Sequence, residues 1–217
     1  MDLSELSELR QEYTWAGLDE SDLAPDPVEQ FRQWFAAWHD VAVGDPNAMV
    51  VTTATPDGRP SVRTVLLRAL DDAGFVFFSN SESRKGRELA ANPRAALLFP
   101  WHPLGRQVIV EGDAEPLDTA ASDAYWATRP RGSQIAALAS PQSQVIADRG
   151  ALDERWAQLD AELADTDIPR PAHWGGFRVV HRRVEFWQGR ERRMHDRLVF
   201  HRDPSDASGW RTERLAP

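Results

Sequence analysis

The strongest constraint on the fold is a series of short apolar and β-branched runs between Ala48 and Ala114, each cut off by a turn signal. Ala48 to Ala54 runs into Pro56-Asp57-Gly58, and Ser61 to Leu70 is the return strand. Asp71 to Gly74 turns into Phe75 to Ser79, and Ala95 to Trp101 and Gln107 to Ala114 flank Pro103-Leu104-Gly105. Turns this short join antiparallel neighbours. Five such runs, toward an expected six-stranded core, predict a closed or nearly closed antiparallel barrel, so the chain is α+β and mainly antiparallel β.

Helices flank these strands. Asp26-Pro27-Val28-Glu29 supplies a cap, a proline at the first helical position and a glutamate three past the cap. Val28, Phe31, Trp34, Phe35, Trp38 and Val41 follow at helical spacing, as one buried face. Ser81 or Ser83 caps a short helix from Arg84 to Ala91, which Asn92-Pro93 stops. Asp118 to Thr128, Ser133 to Ala139 and Leu152 to Leu163 read as further helices, with Pro130 breaking the first from the second. Pro169 and Pro171 lie in a linker before closing strands at Gly176 to Trp187, Arg192 to His201 and Trp210 to Arg214. Residues 1–24 read as a polar, acidic arm carrying Arg10 and Tyr13, and residues 25–217 as a single domain.

The formal charge of −9 argues against nucleic acid as a partner, although a local basic pocket for a small phosphate is compatible with it. The chain has no cysteine, which removes disulfides, thiolate metal sites and cysteine nucleophiles, so redox chemistry would need a bound cofactor. The first residues lack a signal-peptide core and no apolar run approaches the roughly 18 residues of a membrane span, so the expectation is a cytoplasmic protein without a membrane partner. No metal-ligand spacing, dinucleotide fingerprint, Walker loop or Ser-His-Asp arrangement is legible.

Five segments carry cations or amides suited to an anionic ligand. Val184 to Arg197 reads as a hairpin whose second strand places Arg193, His195 and Arg197 on one face beside Trp187, with Met194 and Leu198 pointing the other way. That face is either a wall for a flat, anionic, aromatic ligand or a solvated basic edge strand. Arg63 and Arg68 bracket an apolar strand; five apart, they need a bulge or a strand end to serve one ligand. Ser83-Arg84-Lys85-Gly86 opens a helix, where free N–H groups favour an anion. Arg106-Gln107 opens a strand with an amide that both donates and accepts. Tyr125, Arg129 and Ser133 form a phosphate cradle if a bend at Pro130 brings them together.

Arg63-Thr-Val-Leu-Leu-Arg68, Ser83-Arg-Lys, Asn92-Pro-Arg, Leu98-Phe-Pro-Trp-His102, Arg129-Pro-Arg-Gly-Ser-Gln134, Trp174-Gly-Gly-Phe-Arg178, Glu185-Phe-Trp-Gln-Gly189, Arg193-Met-His-Asp-Arg197 and Arg214-Leu-Ala-Pro217 occur in that order. Together, from about Leu9 onward, they resemble the pyridoxine/pyridoxamine 5'-phosphate oxidase family. The resemblance implies a Greek-key split β-barrel flanked by helices, a homodimer with FMN at the subunit interface, and a C-terminal dimerisation segment at about 174–217. It also implies oxidation of pyridoxamine or pyridoxine 5'-phosphate to pyridoxal 5'-phosphate, with molecular oxygen reduced to hydrogen peroxide. Carried over by residue, FMN contacts fall on Arg63, Thr64, Val65, Leu66, Leu67, Arg68, Phe78, Ser79, Arg84, Lys85, Gln107, Gln142, Ser143, Trp187 and Arg197. Substrate contacts fall on Arg10, Tyr13, Arg68, Tyr125, Arg129, Ser133, Arg193, Met194 and His195, with Arg193, His195 and Arg197 in the catalytic roles. Position 68 is Arg where the family pattern has Lys, 78 and 79 are Phe-Ser where Tyr-Thr is common, and Met194 replaces Leu. The rival readings are a split-barrel flavin or deazaflavin enzyme with another substrate, and a non-catalytic FMN or pyridoxal phosphate carrier.

Overall fold

A computed structural model describes residues 14–164 and 166–217. Among these, five helices and nine strands follow in the order α1 (Pro27–His39), β1 (Ala48–Ala54), β2 (Pro60–Leu66), β3 (Ala69–Asp71), β4 (Gly74–Asn80), α2 (Arg84–Ala91), β5 (Arg94–Trp101), β6 (Arg106–Pro116), α3 (Thr119–Ala127), α4 (Arg131–Ala139), α5 (Arg149–Glu162), β7 (Trp174–Gln188), β8 (Asp196–Arg202) and β9 (Trp210–Leu215). The sheet order is β2-β1-β5-β6-β7-β4-β3, with β8 beside β7 and β9 beside β8. Contacts divide the chain into two compact units: residues up to Val50 with Leu97–Glu111 and His181–Pro217, and Val51–Ala96 with Gly112–Val180.

In the first unit α1 begins where the sequence says it should. The Asp26 carboxylate accepts from the N–H groups of Val28 and Glu29, both at 2.9 Å, and Pro27 opens the helix. Phe31 packs edge-on to Phe99 with centroids 4.7 Å apart, and Trp34 edge-on to Phe186 at 5.2 Å. Each such ring contributes roughly 1.5–3 kcal/mol of transfer free energy. The helix ends at His39, so Val41, expected on the buried face, is instead 46% exposed. Strand β8 lies antiparallel to β7 with Trp187 opposite Arg197, and to β9 with Arg197 opposite Leu215.

The second expectation to fail is the C-terminal hairpin. Strand β8 starts at Asp196, not at Arg192. Before it comes a 3-10 turn at Glu191–Arg193, in which Arg192 and Arg193 have φ of 56° and 60°. Two successive left-handed residues cancel the alternation of a strand. Arg193 and His195 are therefore not on a strand face with Arg197, and Met194 is 65% exposed.

In the second unit β4 runs antiparallel to β3 and to the start of β7, with Phe78 opposite Gly176 and Ser79 opposite Gly175. A Cβ on Gly176 would come within 2.5 Å of Leu117 Cδ1 and 2.9 Å of Phe78 Cε1. Glycine there lets Phe78 lie against Tyr125 at 3.9 Å and Trp174 at 5.4 Å between centroids, in a nearly parallel stack. Beneath it, Trp126, Ile135, Ala139, Leu159, Ile168 and Trp174 form a buried cluster that fixes α3, α4 and α5. Helix α2 is capped by Ser83, whose hydroxyl accepts from Gly86 N–H at 3.3 Å. A side chain at Gly86 would strike the Ser81 carbonyl at 2.2 Å, so glycine lets the first turn of α2 sit tight on the preceding loop.

Candidate functional site

The second unit holds a cleft in two connected compartments. The first, about 410 Å³, is lined by the end of β2 and the residues just after it (Thr64, Val65, Leu66, Arg68), by Phe78 and Ser79 of β4, by Lys85, by Gln142, and by Tyr125, Arg129 and Ser133. The second, about 500 Å³, shares Thr64, Lys85 and Gln142 and continues to Arg63, Arg84 and Ser143. Arg63 and Arg68 can serve one cleft because β2 stops at Leu66. The chain then steps sideways, and Arg68 N–H donates to the Val76 carbonyl at 2.8 Å. Tyr125, Arg129 and Ser133 meet because α3 ends at Ala127 and α4 starts at Arg131, with Pro130 as the hinge between them. Leu67, named with its neighbours from the resemblance, lines neither compartment and is buried.

The cations of this cleft are short of counter-charges. The Lys85 side chain is buried, and its Nζ donates to Ser79 Oγ at 2.9 Å, Gln142 Oε1 at 3.3 Å and Ser83 Oγ at 3.4 Å, all neutral acceptors. Burial, helped by the nearby Arg63 charge, lowers its pKa below the usual lysine value. Arg129 donates to the Ser133 carbonyl at 2.8 Å and stands 4.6 Å over the Trp174 ring. Its Nε is buried with no hydrogen-bond partner among the described residues, and burial lowers its pKa too. An orphaned guanidinium N–H beside a tyrosine and a serine is the donor set a phosphate monoester fits.

The second compartment is different. Arg63 donates to Thr53 Oγ1 at 2.7 Å and to Ser61 Oγ, and lies 3.6 Å from Glu88. Glu88 is buried and accepts from the Thr53 and Ser61 hydroxyls and from Arg84 Nε at 2.9 Å. Burial would raise the Glu88 pKa, but those hydrogen bonds and the Arg84 charge overcome it and bring it down to about 2. Sequence reasoning missed Glu88, Thr53 and Ser61; the sole signal was the Arg84–Glu88 spacing of four on a helix. It also missed Ala136, Ser140 and Asn80, which line the first compartment from positions with no chemical signature.

The remaining expected residues belong to the first unit. Gln107 is half-buried on β6 and Trp187 half-buried on β7. The Trp187 ring lies 4.6 Å from that of His195. His195 Nδ1 accepts from the Arg190 N–H at 3.1 Å, so the neutral ring carries its proton on Nε2. Burial and the Arg193 charge push its pKa down, against Asp196, so the ring is neutral near pH 7. Arg193 is exposed and makes no ion pair among the described residues. Arg197 is tied to the buried Glu185 through Nε at 2.7 Å and Nη2 at 3.1 Å. Arg10 and Tyr13 lie outside the described residues. No described helix is long and apolar enough to cross a membrane.

Comparison with known proteins agrees with this picture. The family model described as pyridoxamine 5'-phosphate oxidase matches residues 36–161, and that described as pyridoxine 5'-phosphate oxidase C-terminal dimerisation region matches residues 174–217. The pyridoxine/pyridoxamine 5'-phosphate oxidase of Rubrobacter xylanophilus is 53% identical over 213 residues, covering 98% of this chain and 97% of its own. That of a Nocardioides species is also 53% identical, over 98% of each. Among solved structures, PhzG of Burkholderia lata, in complex with tetrahydrophenazine-1-carboxylic acid, aligns with a TM-score of 0.87 at 33% identity, over 95% of this chain and all of its own. The chain has the split-barrel fold, and it belongs to the pyridoxine/pyridoxamine 5'-phosphate oxidase family.

Proposed function

We propose that this chain is an FMN-dependent oxidase that converts pyridoxamine 5'-phosphate and pyridoxine 5'-phosphate to pyridoxal 5'-phosphate. The observation that carries the reading is the two-compartment cleft, with Arg68 and Arg129 in the first half, Arg63 and Arg84 in the second, and Lys85 lining both. Arg63, Arg84, Lys85 and Ser143 would hold the FMN phosphate in the second compartment. Arg129, Tyr125, Ser133 and Arg68 would hold the substrate phosphate in the first. FMN, when bound, supplies the two-electron acceptor that passes electrons on to molecular oxygen, giving hydrogen peroxide.

The chain's own task is binding and aim. Anchoring both phosphates fixes two flat rings relative to each other, which converts an encounter into a set geometry. Phe78, held by the stack with Tyr125 and Trp174, keeps the wall of the first compartment rigid. Neutral His195 would turn its Nε2–H to the substrate, and Arg193 brings a charge that no acid neutralises among the described residues. Gln107, Trp187 and Arg197 would face the flavin.

The working form in this reading is a homodimer in which these residues complete a site with a second copy. Val62 on the rim of the second compartment is 65% exposed, and Val145, two residues beyond Ser143, is fully exposed. Apolar side chains at the mouth of a charged groove suit burial by a partner. The test is the absorbance spectrum of the purified protein, followed by anaerobic addition of pyridoxamine 5'-phosphate. A flavin spectrum that bleaches, and recovers with air, is expected; colourless protein, or a spectrum indifferent to substrate, would overturn the proposal.

A further inference from the structure

Resting on that placement of the FMN phosphate, we infer that Glu88 is a positioning residue: it sets the Arg63 and Arg84 guanidiniums at the groove, the first through the Thr53 and Ser61 hydroxyls and the second directly. The hydroxyls define the direction of the relay. Each accepts from an Arg63 Nη, so its single proton is left to point at Glu88. Only an acceptor with no proton of its own satisfies both hydroxyls and Arg84 Nε at once, and a buried carboxylate is such an acceptor.

The donors this arrangement leaves over are as telling as those it uses. Among the described residues nothing accepts from Arg63 Nε or from either Nη of Arg84, and both residues line the groove. Lys85 lines it too, with neutral partners. Three cations against one carboxylate leave two net positive charges, which matches a phosphate monoester near neutral pH. Glu88 thus does two opposite things: its charge opposes an anion in the groove, and its hydrogen bonds hold two of the groups that would bind one.

The opposition makes the test decisive in sign. Full-length protein freed of flavin is titrated with FMN and with riboflavin, which lacks the phosphate, following flavin fluorescence. The parent should prefer FMN. Glu88→Gln should weaken FMN about 10- to 100-fold, the loss expected when charged hydrogen bonds are mis-set, and leave riboflavin within about twofold. Ser61→Ala, which removes one arm of the relay and no charge, should lose about threefold of the FMN preference and keeps the test open if Glu88→Gln does not fold. Tighter FMN binding by Glu88→Gln would show a mere opposing charge, and equal losses for both flavins would show a mere structural role; either overturns the inference. A parent that binds both flavins alike would instead overturn the phosphate assignment beneath it.

Discussion

The cleft of the second unit and the C-terminal strands of the first are both rich in cations, and they treat them in opposite ways. In the strands Arg183, Arg197 and Arg214 are answered by acid. Arg183 bonds Glu185 at 2.7 Å and Glu111 at 3.1 Å, Arg197 bonds Glu185 twice, and Arg214 bonds Asp196 at 2.7 Å and Glu20 at 2.8 Å. In the cleft, Lys85 and Arg129 have only neutral acceptors and aromatic faces. A cation already neutralised, such as Arg197, has less charge left to offer a ligand. One buried without a carboxylate carries a desolvation cost that an anionic ligand would relieve, so Lys85 and Arg129 have the most to gain from an anion, while Arg63 and Arg84 share one carboxylate between them.

The largest effect should fall on the unanswered cation of the first compartment. Arg129→Met keeps most of the volume and loses the charge. It should lower kcat/KM for pyridoxamine 5'-phosphate about 100-fold or more, in line with losing charge-assisted hydrogen bonds to a dianion, while FMN stays bound. Stability should change little, since removing a buried charge with an orphaned Nε offsets the lost Ser133 hydrogen bond and Trp174 contact. Parental turnover in this variant would break the comparison. In the C-terminal strands, Arg197→Met should cost roughly 2–3 kcal/mol in denaturant unfolding, because buried Glu185 is left with Arg183 alone. Lys85→Met should be neutral or stabilising in the same assay, since it removes a buried ammonium that no acid answers.

A smaller effect sharpens the contrast through pH. Burial and the Arg63 charge lower the Lys85 pKa, and a phosphate favours the charged form. FMN affinity should therefore fall as pH rises through that lowered pKa, short of the usual lysine range. Titrating FMN across the alkaline range should show this slope in the parent and lose it in Lys85→Met. An unchanged slope would mean that Lys85 does not face the phosphate.

Much of the frame was legible because local rules acted unopposed. Ser83 with Asn92-Pro93 bounds α2 at Arg84–Ala91, and Asp26-Pro27 starts α1 at Pro27. Strand β5 runs over Arg94–Trp101, where the apolar run Ala95 to Trp101 predicts it. The turn before β8 is where sequence reasoning failed. Left-handed φ at Arg192 and Arg193 is announced by neither residue type as glycine or asparagine would announce it. The site was half legible for a related reason. Residues that face a ligand are polar in odd places and can be seen in a sequence. Thr53, Ser61 and Glu88, which hold them, look like an ordinary strand threonine, strand serine and helix glutamate until the fold brings them together.

The smallest prediction concerns His195, in the first unit. Burial and Arg193 lower its native pKa below the ordinary 6.5, so on acidification the unfolded chain takes up this proton before the native one does. The unfolded state then binds more protons, and stability from this residue must fall as pH drops from 6.5 toward the lowered native pKa. Asp196 works against the shift, so the effect is modest. Denaturant midpoints measured from pH 7.5 to 5 should fall less steeply in His195→Gln than in the parent. A parallel pair of profiles would mean that the folded state lets the ring charge as readily as water does, and a neutral imidazole could then not be its working form at mildly acidic pH.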